Sequence, residues 1–435
     1  MEKLYGLDVS ESARALPVLV LGYAVLMMHF VFSRSFRDSL LGSGLHVSSL
    51  PGLTVAGTLL AITLSLLLSF FVRTQERTTV VRTMYGINAV AELLMGLFYR
   101  GHSWIYSAYY IEVSASTALG LSLIWVLIGD WTNRCNGKSG DRIPTILICG
   151  TAAGMFAGLA LVHIPGVLNF GTANFMLAGM HLLVAGALML YREDGCRSGT
   201  HRVHEALAKG KAHLTKGIVG ALAAVAVAGA ATSTLLDLVF RVDIAQHYAQ
   251  QAQRLHFLGI FQSLLLLGAL LAQMLMNRLQ HLHMGVRVLH LHPVFVGAAA
   301  LICAIMPGVW TMGFFRTFEY SMRNSVFRTG TERTYLLLPD EVRVETRPLI
   351  DVVGERLGDM AAAGMLQVLL MTGTALAPRT TLLTVAGCSA LLYGMCRMLE
   401  KKAVLMESPV RRARERDTER EIPLDGIARE KSVLV

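Results

Sequence analysis

Residues 52–72 read GLTVAGTLLAITLSLLLSFFV, an unbroken run with no charged side chain. As an α-helix rising about 1.5 Å per residue, a run of this length covers roughly 31 Å, which matches the roughly 30 Å hydrocarbon core of a bilayer. Leu, Ala, Gly and Thr follow one another without the strict alternation of a barrel strand, so the backbone is expected to satisfy its hydrogen bonds within a helix. Working outward from this run, comparable stretches recur near 16–33, 83–99, 104–130, 143–163, 170–190, 217–239, 255–276, 286–306, 308–326, 353–377 and 381–399. The chain has 435 residues, of which 54% are hydrophobic and 16% charged, whereas soluble domains carry about 25% charge. The sequence therefore predicts an all-α integral membrane protein of about twelve transmembrane helices in two six-helix halves, and excludes a soluble enzyme.

The basic residues set the expected topology, because cytoplasmic connections are enriched in Lys and Arg. With both termini inside, all Lys and Arg lie in the N-tail, the inner connections and the C-tail except Arg34, Arg37, Arg100, Arg241, Arg254, Arg316, Arg323 and Arg379. The net charge of +9 is then a topology signal and needs no nucleic-acid partner. Glu2, Lys3, Asp8, Glu11 and Arg14 precede the first apolar run, and no small-residue cleavage site follows it before Arg34, so this run reads as a retained span. The six cysteines form no CxxC pair and imply no disulfide framework. The expected organisation is a six-helix half over 1–190, a basic cytoplasmic connector over 191–216 and a second half over 217–405. A charged tail follows over 406–435, and its composition predicts disorder and contact with anionic lipid.

Ionisable residues inside spans cost about 2.5–3.5 kcal/mol each on insertion scales, so they mark either solute pathways or internal ion pairs. Arg34, Arg37 and Asp38 close the first span, and Asp237, Arg241 and Asp243 close the seventh. Glu92 and Glu112 lie in the third and fourth spans. Arg34 and Arg37, three apart, are read either as headgroup anchors or as a pair facing a central cavity. Glu112 is read either as a proton or cation site or, preferentially, as the partner of an arginine across the cavity. Arg316, Glu319 and Arg323 share a helix face, as does the pair Arg356 and Asp359. Such a stripe is either a structural ion pair or a source of a guanidinium that can grip an anion with two parallel hydrogen bonds.

Two HxH pairs, His281/His283 and His290/His292, have no acid or cysteine beside them, and no metal site is expected from them. The chain contains no GxxxxGK[ST], HExxH or GxSxG motif, so neither a cofactor nor an enzymatic activity is expected.

The first span ends FVFSRSFRDSLL and the seventh LDLVFRVDIAQHY, each with an aromatic residue, an arginine and an aspartate in close succession. Duplicated halves joined by a basic linker are the plan of the major facilitator type of carrier, whose solute site lies between the halves. SRSFRDSL further resembles the arginine-rich turn of the nucleotide (ADP/ATP) translocase family, with Ser35 where that family commonly has proline. YYIEVSAS followed by LIWVLIGDW resembles its fourth span through Glu112 and Trp125. TLLDLVFRVDIAQ resembles its seventh, with Arg241 replacing a usual lysine. FEYSMRNSVFR and LLLPDEVRVETRPLIDVVGERLGD resemble its tenth and eleventh.

The resemblance implies a major facilitator-like, multi-pass carrier of the bacterial inner membrane, in a family whose members exchange ATP for ADP or import nucleotides, while the basic residues place both termini in the cytoplasm. The leading expectation is a secondary carrier of an anionic, phosphorylated or nucleotide-like metabolite. Carried over by position, it implies a substrate site of Arg34, Arg37, Glu112, Asp237 and Arg241, to which Arg323 is added on chemistry alone. The rival expectations are a proton-coupled exporter of an amphipathic compound, using Glu112 or Glu92, and a non-transporting scaffold that works through the connector and tail.

Overall fold

The structure, a computed structural model, describes residues 9–100, 102–134, 143–164, 166–189, 209–279, 286–335, 337–338, 342–343, 346–347, 349–373 and 378–420. The N-terminal half consists of α1 (Val9–Ser39), α2 (Leu50–Thr74), α3 (Arg77–Phe98), α4 (Trp104–Arg134), α5 (Ile143–Val162) and α6 (Phe170–Ala187). The C-terminal half consists of α7 (Lys209–His247), α8 (Gln251–Leu279), α9 (Leu291–Ile305), α10 (Val309–Met322), α11 (Arg328–Tyr335), α12 (Glu355–Met371) and α13 (Pro378–Arg420). α10 continues into α11 through a π-helical turn at Arg323–Phe327, and a second π turn, Leu349–Gly354, leads into α12.

Among the described residues, these elements make twelve helical rods in the order the apolar runs predict. Eight helices are long and apolar enough to cross a membrane, and α5 adds a shorter apolar stretch, Ile146–Val162. α10 and α12 are only 14 and 17 residues long, because the π turns interrupt them where charged residues cluster. Large apolar side chains such as Leu66, Phe70, Leu97, Leu183 and Phe314 are exposed on the outside of the bundle, as expected where the surrounding solvent is hydrocarbon.

Close approach between helices is built from glycine. A Cβ on Gly154 of α5 would stand 2.3 Å from the Ala24 carbonyl and 2.5 Å from Met27 Cβ of α1, and one on Gly150 would stand 2.6 Å from Tyr23 Cδ1. Gly158 completes a stripe with a spacing of four, which lets two backbones meet. The C-terminal half repeats the arrangement between its own first and fifth rods: a Cβ on Gly358 of α12 would stand 2.4 Å from the Val227 carbonyl of α7. The internal echo read in the sequence is thus also a packing echo.

Several boundaries differ from the expectation. α1 runs to Ser39 and α7 to His247, so Arg37, Asp38, Arg241 and Asp243 are helical where the apolar runs had already ended. The final helix continues to Arg420, so the tail is helical over 406–420 where composition predicted disorder. Extending an existing helix avoids the nucleation cost, and this stretch is rich in helix-favouring Arg and Glu. Residues 421–435 and connector residues 191–208 lie outside the described residues, while connector residues 209–216 form the start of α7.

Candidate functional site

Charged side chains from both halves converge where the ends of α1 and α7 meet. Arg37 grips its neighbour Asp38 with two hydrogen bonds, Nε to Oδ1 at 2.7 Å and Nη2 to Oδ2 at 3.1 Å. Its Nη1 donates to Ser114 Oγ of α4 at 3.1 Å, and its guanidinium lies 4.8 Å from the centre of the Tyr110 ring. Arg241 of α7 reaches across to this assembly: Nη1 donates to Tyr110 Oη at 2.6 Å and stands 3.4 Å from Asp38 Oδ1.

Within the C-terminal half the chain of charge continues. Arg241 Nη2 donates to Asp237, one turn earlier on α7. Arg316 of α10 donates from Nε to Asp237 Oδ1 at 3.1 Å and from Nη1 to Glu319, whose Oε1 lies 3.3 Å from His292 Nε2. Cations and anions therefore alternate from α1 through α7 to α10. Such alternation compensates the desolvation of each group, which an isolated buried charge would not survive.

Arg254, which the sequence reading passed over, locks the same end. Its side chain is 1% exposed. Nε donates to the Ser39 carbonyl of α1 at 3.0 Å, while Nη1 donates to the carbonyls of Tyr248 at 2.7 Å and Ala249 at 3.1 Å. Gly42, at φ +85°, passes beside this guanidinium in a left-handed turn that favours glycine. Arg254 stood one residue outside the apolar run predicted to begin at 255, and that position concealed it.

The predicted site residues divide into groups. Arg37, Asp237, Arg241, Arg316 and Glu319 belong to one network. Arg34 does not: its Nε is buried without a hydrogen-bond partner, its guanidinium lies 4.3 Å from the centre of the Phe30 ring, and no carboxylate pairs with it among the described residues. It nevertheless lies within electrostatic reach of Arg37 on its own helix and of Tyr320, Asp237 and Arg241 in the other half. Arg323 stands apart, because the π turn that begins at this residue carries it toward Glu355 Oε1 at 3.3 Å. Arg356 pairs with Asp359 at 2.8 Å, and Asp359 also accepts a hydrogen bond from Thr234 of α7.

The expected pairing of Glu112 with an arginine is not formed. Both its carboxylate oxygens are buried without a partner, because Arg37, the arginine bonded to the next turn of α4, is already taken up by Asp38 and Ser114. The HxH residues also fail to converge: His290 meets Glu400 at 2.8 Å, His292 meets Glu319, and His281 and His283 lie outside the described residues. The four described cysteines, Cys149, Cys303, Cys388 and Cys396, are free thiols.

No family model matches the sequence, and no curated protein does either. Solved structures do match. The nucleoside transporter NupG superposes with a TM-score of 0.66 at 11% identity, covering 89% of this chain and 99% of its own. A bacterial homologue of the human lysosomal transporter Spinster, inward-facing and unoccupied, gives 0.59 at 13% identity over 91% and 99%. The human organic anion transporter MFSD10 gives 0.57 at 12% identity over 88% and 99%. With two six-rod halves whose charged helix ends meet at their interface, and with near-complete coverage of such structures, the chain has the fold of the major facilitator transporters.

Proposed function

We propose that this chain is a secondary carrier that binds an anionic solute, phosphorylated or nucleotide-like, between its two halves and moves it across the membrane by alternating access. The observation that carries the reading is Arg34: a half-buried guanidinium between the halves whose buried Nε has no hydrogen-bond partner and which pairs with no carboxylate, beside a network in which Arg37, Arg241 and Arg316 each pair with one. A planar donor fork without an internal anion is suited to a phosphate or carboxylate supplied from outside.

The Asp38–Arg241 and Tyr110–Arg241 contacts, with the Arg254 bond to Ser39, act in this reading as a latch that shuts the end remote from the termini. With the termini cytoplasmic, as the basic residues imply, this reading takes the latched end as the outer one, held closed. Solute that binds an occluded form better than either open form supplies the bias for interconversion, and exchange then needs no hydrolysis.

The test is uptake of labelled ATP and ADP into proteoliposomes, empty or preloaded with unlabelled nucleotide, for the wild type and Arg34→Ala. Uptake that requires preloading, with apparent affinity weakened about 10- to 150-fold in the variant, is expected from one charge-assisted contact of about 1.5–3 kcal/mol. Absence of uptake by folded wild-type protein under both conditions rules out nucleotide exchange.

A second reading draws support from Glu112, a buried and unpartnered carboxylate of the kind that carries protons inside membranes. Here the carrier is proton-coupled, and transport follows an imposed pH gradient without preloading. Loss of that dependence in Glu112→Gln supports it, and gradient-driven transport retained in Glu112→Gln dismisses it.

A further inference from the structure

The N-terminal half encloses a second polar cluster that takes no part in the latch. His29 of α1, Glu92 of α3 and His181 of α6 are 2%, 0% and 3% exposed. Three helices thus bring two imidazoles and one carboxylate into an apolar interior, with candidate donor atoms that all lie within 4.8 Å of one another.

The geometry does not suit direct hydrogen bonding. His29 Nε2 and His181 Nε2 approach the same oxygen, Glu92 Oε1, at 3.5 and 3.4 Å, longer than the roughly 2.7–3.2 Å of an N–H···O bond. Both nitrogens and both carboxylate oxygens lack a hydrogen-bond partner. Buried polar atoms are nearly always satisfied, so four orphans in one cluster need an explanation.

A metal ion supplies one. Tetrahedral coordination with bonds of about 2.0–2.1 Å places neighbouring donor atoms about 3.3–3.4 Å apart, close to the two spacings found here. Two neutral imidazoles and one carboxylate form a donor set suited to zinc and its first-row neighbours. His29 Nδ1 lies 3.5 Å from Ser33 Oγ, one turn along α1. A proton on Nδ1 directed at that hydroxyl leaves Nε2 free as a ligand, the usual outer-shell arrangement of a metal-bound histidine.

We infer that His29, Glu92 and His181 form an intramembrane binding site for a divalent first-row transition-metal ion, with one coordination position left for water or the second Glu92 oxygen. The ion ties α1, α3 and α6 into one rigid unit. This inference is independent of the proposed solute and concerns residues outside the latch network.

The experiment uses the purified full-length chain, stripped with a chelator and reloaded with Zn2+ or Co2+. Elemental analysis is expected to find one zinc per chain after removal of excess, and cobalt is expected to give the intense visible bands of a tetrahedral site. Glu92→Gln and His181→Asn lose the stoichiometric metal, and zinc raises the thermal midpoint of the wild type but not of these variants. Should both variants misfold, Ser33→Ala serves instead, with zinc affinity expected to fall about tenfold, as for loss of an outer-shell partner. Failure of folded wild type to take up stoichiometric zinc or cobalt overturns the inference, as does unchanged zinc affinity in folded Glu92→Gln or in Ser33→Ala.

Discussion

Tyr110→Phe probes the latch with the least collateral damage. The phenol of Tyr110 accepts a 2.6 Å hydrogen bond from Arg241 across the halves, and its replacement leaves Arg241 paired with Asp38 and Asp237. No buried charge is orphaned, so the cost is that of one hydrogen bond to a charged group, about 1.5–3 kcal/mol. The bond joins α4 to α7 and exists only while that end is shut, so the whole loss falls on the closed state. The closed-to-open ratio therefore drops about 10- to 150-fold.

Spin labels at Ser48→Cys and Gln250→Cys, both exposed at the latched end, would report the width of the mouth once exposed Cys149 and the connection cysteines Cys135 and Cys196 have been replaced by serine. The expected result is a new, longer distance component in Tyr110→Phe, increased further by Asp38→Asn. Identical distance distributions in the wild type and the folded double variant would refute the latch and, with it, the reading of this structure as outward-closed.

Gly154→Ala and Gly358→Ala each place a methyl group within 2.3–2.4 Å of a facing carbonyl. Overpacking of roughly 1–3 kcal/mol should outweigh the helix-propensity gain of about 1 kcal/mol, lowering the thermal midpoint in detergent. Arg254→Ala removes three bonds to carbonyls from a buried position and is expected to cost several kcal/mol, at about 1–3 kcal/mol for each carbonyl left unsatisfied, with Arg254→Lys recovering only part of it. Tyr335, beyond the end of the tenth span, has its phenol pushed up from 10.0 by burial and by Asp351, to whose Oδ1 it donates at 2.8 Å. A raised pKa contributes stability that is complete below the unfolded value and lost as pH climbs past it. Unfolding free energy should therefore decline above about pH 10, and Tyr335→Phe should flatten that decline in chemical denaturation.

The sequence by itself determined the solvent, the helix order and the division into halves. Runs such as 52–72 have one stable form in hydrocarbon, a helix, and that conclusion needs no knowledge of neighbours. It also located most of the charged network, because Arg37, Asp237, Arg241, Arg316 and Glu319 stand out where charge is costly.

Partnership was a different matter. Arg37 and Arg34 are chemically identical and one turn apart, yet Asp38 and Ser114 satisfy the first while the second has no carboxylate partner. Glu112 was expected to be matched and is bare, and Arg254 was hidden by its place at a span boundary. His29, Glu92 and His181 are separated by 63 and 89 positions in the sequence, with no local motif to connect them. Contacts of this kind depend on which faces of which helices meet, and glycine stripes and π turns set those faces through distances of a few ångströms. Periodicity along one helix carries no record of what packs across from it, so only the tertiary structure decided which charges are matched and which are left without a partner.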